Sequence, residues 1–107
     1  MHARREGESL EMHRRIAEAL LCDPDVVLAR ARGNIARWLA GREGTAAEKV
    51  YREWLEILDR NSPREIAEFL VSLDERALRL RQSTPFTGVL GAKEVWQIKN
   101  RHAAARA

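Results

Sequence analysis

The sequence predicts an all-α fold, a small single-domain bundle of about five helices with a packed apolar loop before the last of them. Apolar residues recur at steps of three and four in five segments. Most of those segments open on a helix-start signal, and no stretch alternates apolar and polar as a half-buried strand does. With 107 residues, 45% of them hydrophobic and 33% charged, the chain has the material for one modest core and too much apolar content for disorder.

The first helix is expected from about Glu8 to Cys22, with Met12, Ile16, Ala19 and Leu20 on one side. Asp23 and Pro24 then read as an N-cap followed by proline at the first helical position, which lacks the N–H that a helix start leaves unbonded. The second helix runs to about Ala40 and carries Val27, Leu28, Ala31, Ile35, Trp38 and Leu39 on a stripe. Gly41 to Gly44 is a flexible joint. Thr45 to Glu48 has the form of a capping box, in which the Thr hydroxyl and the Glu carboxylate each accept from a backbone amide. A third helix follows, with Val50, Tyr51, Trp54, Leu55 and Leu58 inward. A second capping box, Ser62 to Glu65 with Pro63 inside it, restarts the chain, and Ile66, Phe69, Leu70 and Leu73 give this short helix its apolar side. Ser72 to Glu75 offers a further cap, and Ala77, Leu78 and Leu80 continue the pattern to about Arg81; the pattern leaves open whether the helix bends or breaks at Ser72. Ser83 to Glu94 is irregular yet holds Phe86, Val89 and Leu90, a composition that packs on something. The last helix starts near Ala92, with Val95, Trp96, Ile98 and His102 on a face.

These elements form one domain, 1–107, with 1–7 and 103–107 expected to fray. The single cysteine, Cys22, excludes an intrachain disulfide and reads as a small buried hydrophobe. No run has the roughly 18 apolar residues of a membrane span, and no signal-peptide pattern follows the N-terminal basic residues, so a cytoplasmic location is expected. The net charge of +3 is uneven: residues 1–74 hold 12 Arg/Lys against 14 Asp/Glu, and residues 75–107 hold 7 against 2.

Catalysis needs a nucleophile with its base, a carboxylate pair in a cleft, or a metal. None of the three histidines, His2, His13 and His102, has a second His or Cys at metal-ligand spacing, and the sequence Gly41 to Gly44 lacks the Lys-Ser/Thr of a phosphate loop. Glu53, Glu56, Asp59, Glu65 and Glu68 recur as a solvated helix face does. The expectation is a protein without catalytic residues, metal or cofactor. Nucleic-acid binding is the rival reading, from Arg76, Arg79, Arg81, Lys93, Lys99 and Arg101 around the loop. Against it, a recognition helix usually follows a tight turn rather than a long apolar loop.

Read together, several stretches form a pattern: His13 central in a helix, Asp23-Pro24, Ala36-Arg37-Trp38, Trp54 with Ile57, and the closing Leu80-Arg81-Gln82 with Ser83, Pro85, Phe86, Gly88, Val89 and Leu90. This resembles a family of short bacterial antitoxin-like proteins over about residues 8–100, most specifically at the closing segment; the chain departs from the pattern at Thr84 and Thr87. The resemblance implies the antitoxin half of a type II toxin-antitoxin module, partnered by an AbiEii-type nucleotidyltransferase toxin or another small toxin, acting by a tight protein complex. An adaptor subunit of another assembly is a further alternative. The expected partner contacts are Arg79, Arg81, Gln82, Ser83, Pro85, Phe86, Val89, Leu90 and Trp96, because an aromatic anchor with a cationic rim suits an interface. Phe86 is the expected anchor, and the competing reading has it plugging the helical core.

Overall fold

In the computed structural model the described residues, 2–106, form six helices and no strand: α1 (His2–Cys22), α2 (Pro24–Leu39), α3 (Ala46–Arg60), α4 (Pro63–Leu70), α5 (Glu75–Arg81) and α6 (Ala92–Arg106). Side chains are described over 6–105, so His2 and the outermost parts of the expected frayed ends lie outside them. Residues 6–7 and 103–105, assigned to those ends from the sequence, are helical.

The all-α class is as expected, with six helices where about five were read. The difference arises at 71–74. After Leu70 the last turn tightens, Ser72 N–H donating to Phe69 O at 3.1 Å, and α5 then starts on Asp74, whose carboxylate accepts from Ala77 N–H at 2.8 Å. Leu73 falls in the break and is exposed rather than on the apolar side of α4. Ser72, read as a possible cap, stands outside the helix and accepts from Asp74 N–H at 3.2 Å. The Ser62 capping box is complete in both directions. At Thr45 only one arm forms as read, because Glu48 reaches past the cap to Gly44 N–H at 2.9 Å. Asp23 makes no side-chain cap; the joint between α1 and α2 is held by backbone bonds and Pro24.

Helix α1 is the central element and packs on α4, α2, α6 and α5, while α2 pairs with α3. Its inward face is His13, Ile16, Ala17 and Leu20. Cys22 is exposed, a correction that follows from helix geometry: two residues on from Leu20 is roughly 200° around the axis. Apolar faces of the first four helices close around Trp54, which meets Phe69 and Phe86 edge-on at centroid distances of 5.8 and 5.9 Å. Helix α6 lies on α1, fixed by buried Ile98 and by Glu11, which accepts from Arg101 and, at 2.8 Å, from His102 Nε2. Gly7 permits the approach, since a Cβ there would stand 3.3 Å from His102 Cε1. Helix α1 starts at His2, six residues before the expected Glu8. Among the described residues no helix is long and apolar enough to cross a membrane.

Candidate functional site

The closing segment, 80–90, is built into the body of the protein. Leu80 is buried, and its carbonyl accepts from Trp54 Nε1 at 3.2 Å. Pro85 and Phe86 lie fully inside. Asn34 on α2 donates through Nδ2 to Pro85 O and to Thr87 O, both at 2.8 Å, and its own carbonyl accepts from Arg37. The chain then turns at Gly88, whose φ of +87° is left-handed and whose missing side chain makes room for the Arg30 guanidinium.

Helix α1 holds the same segment from the other side. His13 is 2% exposed. Its Nδ1–H donates to Ser9 O at 2.7 Å, which leaves Nε2 to accept from Thr84 Oγ1 at 2.9 Å. Burial lowers the imidazole from its ordinary 6.5 to about 4, so the ring is neutral. A hydroxyl on a histidine has the outline of a nucleophile and its base. A general base works best near the working pH, however, and a site that suppresses protonation this far favours a hydrogen-bond acceptor over a proton shuttle.

Arg81 is 4% exposed, and this corrects its reading as part of a cationic rim. Its Nη1 donates to Leu70 O at 3.2 Å and Ser72 O at 2.6 Å, satisfying carbonyls that the end of α4 leaves open. Its Nη2 is buried with no acceptor, and burial lowers the guanidinium's pKa. Beside it a cleft of about 540 Å³ opens between α1 and α5, lined by Glu6, Glu8, Ser9, Met12, His13, Leu78, Arg81, Gln82 and Thr84.

The nine residues expected to form one partner surface are therefore divided. Phe86 and Pro85 belong to the core; as a surface anchor Phe86 is replaced by its alternative, because a ring that fills the space against Trp54 has no face left for a partner. Ser83, Val89 and Leu90 are half-buried, and Gln82 is exposed at the cleft. Arg79 is exposed but, with Arg76, donates to Glu53, whose carboxyl those two hydrogen bonds hold below its usual range. Trp96 alone of the nine is a large apolar side chain in solvent, at 64% exposure. It borders a shallow hollow of about 290 Å³ with Arg15, Glu94 and Arg101 among its walls.

The chain matches no family model, no curated protein and no solved structure.

Two residues that hold the closing segment in place carry only a weak signal in the sequence. Asn34 lies in register with Val27, Ala31 and Trp38, and a polar side chain on an inward stripe was the available signal. For His13 the signal is its place one turn before Ile16 and Ala17, on the inward face of α1. Among the described residues no group of three or more His, Cys, Asp and Glu side chains is placed to hold a metal ion.

Proposed function

We propose that the chain is an antitoxin-like cytoplasmic protein that neutralises a cognate bacterial toxin, of nucleotidyltransferase type, by direct binding. The observation that carries the reading is Trp96, an exposed indole on the outer side of α6. Lys93 and Lys99 stand one turn to either side of it, both exposed. A tryptophan in a cationic setting fits a partner that offers an apolar pocket with acidic walls, and buried tryptophans are frequent binding hot spots. The resemblance of the closing segment supports the antitoxin class in particular.

Co-expression with the product of the adjacent reading frame tests this. A complex that relieves growth inhibition is expected, and Trp96→Ala should weaken it by about 2 kcal/mol or more while leaving the free chain's Tm unchanged. A complex indifferent to Trp96→Ala, or no complex, overturns the reading.

A further inference from the structure

We propose that one side of α1 is a self-complementary docking surface for a second copy of this chain, with Trp96 of each copy set against the corner between α1 and α2 of the other. The starting point is the apolar material that the fold leaves in water. Among the described residues the exposed large hydrophobics are Leu21, Val26, Leu73 and Trp96. Such residues scattered singly are ordinary, whereas apolar side chains gathered within a polar rim mark a contact. Leu21 and Val26, 53% and 64% exposed, stand on either side of the joint between α1 and α2, with exposed Cys22 between them in the chain. Three exposed carboxylates accompany them: Glu18 one turn before Cys22, Asp23 in the joint, and Asp25 in the first turn of α2. None of the three forms an ion pair with a described residue, and Asp23 does not cap α2. Trp96 has the opposite setting. Lys93 and Lys99 are exposed and equally without a carboxylate, because Glu94, the acid beside them, is taken by Arg15.

The two patches run along the same side of α1. Arg15 and Trp96 border one hollow, and Glu18 and Cys22 follow Arg15 at steps of three and four, the spacing that keeps side chains on one helix face. From Arg15 to Cys22 the helix rises about 10 Å. Exposed Arg14, a turn before Glu18, adds to the cationic end. One side of the molecule is therefore basic around Trp96 and acidic around Leu21 and Val26. A two-fold axis across this side sets each end against its opposite, and the contact closes after two copies. Parallel pairing would set like charges together and is disfavoured. The apolar contact with an acidic rim that Trp96 calls for is thus present on the chain itself. The surface is small, so the dimer belongs to the weak class and forms as concentration rises. The inference goes beyond toxin binding: because pairing covers Trp96, a second copy and the toxin compete for it.

Sedimentation equilibrium of the full chain under reducing conditions, over a range of protein and salt concentrations, tests the pairing. A monomer–dimer equilibrium without larger species is expected, weakening as salt rises. Trp96→Ala and Val26→Ser should each weaken it by at least about tenfold, and Leu73→Ser, an equally exposed leucine outside the surface, should leave it unchanged. Lys93→Glu with Lys99→Glu should also dissociate the dimer. Adding Glu18→Lys and Asp25→Lys to that same chain reverses both ends and should restore it. Circular dichroism in dilute solution shows that each variant is folded. A chain that is monomeric at every concentration overturns the proposal, as does open-ended assembly, an equal loss in Leu73→Ser, or failure of the charge-reversed chain to recover. None of these results bears on the toxin complex, since the isolated chain is measured; a monomer that still binds the toxin through Trp96 removes the dimer alone.

Discussion

Phe86 and His13 are the residues whose chemistry most constrains this molecule, and each makes a measurable claim. The Phe86 ring is 1% exposed and edge-on to Trp54. Phe86→Ala should therefore lower the unfolding free energy of the isolated chain by about 3 to 5 kcal/mol, a large share of the 5 to 15 kcal/mol typical of a domain. Urea denaturation reads this directly, and an unchanged midpoint would return Phe86 to the surface. For His13 the folded state disfavours the proton, its pKa falling from 6.5 to about 4. Below pH 6.5 the unfolded chain gains a proton that the native chain refuses, so stability is full above that pH and declines as pH falls toward 4. Below about 4 both states are protonated and the decline from this group ends. A shift of this size corresponds to about 3 kcal/mol. Denaturant midpoints measured across this window should show the fall, and His13→Gln, which removes the titrating group, should flatten it. Glu53, held down by Arg79 and Arg76, adds its own loss only below its unfolded value of 4.5.

At the scale of elements, the helix starts were legible where the signal was a local exchange of hydrogen bonds. Ser62 and Glu65 satisfy each other's backbone amides, and the sequence shows both partners three residues apart. Ser62→Ala should cost about 1 kcal/mol, and because the two arms share one turn, Ser62→Ala with Glu65→Ala should cost less than the two single changes together. Asp23 gives the contrasting prediction. It precedes Pro24 as a cap would, yet its side chain bonds nothing at the helix start, so Asp23→Ala should change stability by less than about 0.5 kcal/mol. A full capping loss at Asp23 would contradict the backbone-only joint. What the sequence did not disclose was the break between α4 and α5. That break depends on Arg81, eleven positions after Leu70, turning back to take the Leu70 and Ser72 carbonyls. No local propensity encodes such a contact. Leu73 faces solvent because it falls in that break, where the helical period no longer applies, whereas the exposure of Cys22 follows from the period itself, since it lies on the far side of α1 from Leu20.

For the whole molecule, the positive C-terminal third that the sequence displays is largely spent within the fold. Arg76 and Arg79 share Glu53, Arg101 is bound to Glu11, and Arg81 lies in the interior. The sequence lists these cations but not their partners, because Glu53 and Glu11 meet them only after α3 has packed beside α5 and α1 beside α6. The candidate site was hidden by the same effect: Arg81 counts toward a basic surface in the sequence and becomes a buried charge beside a cleft once α1 covers it. The consequence for nucleic acid is quantitative. Each phosphate neutralised on duplex DNA contributes about −0.9 to the slope of log K against log salt. Of the six cations around the closing loop, Lys93 and Lys99 are exposed and outside these pairings, so binding through this face should be weak, with a slope no steeper than about −2. Glu53→Gln releases Arg76 and Arg79, and the slope should then steepen toward about −4. Fluorescence anisotropy with duplex DNA over a range of salt concentrations measures both values. A slope near −5 in the unmodified chain would mean that these ion pairs open to admit phosphate, and would make nucleic acid rather than a protein the natural partner of this face.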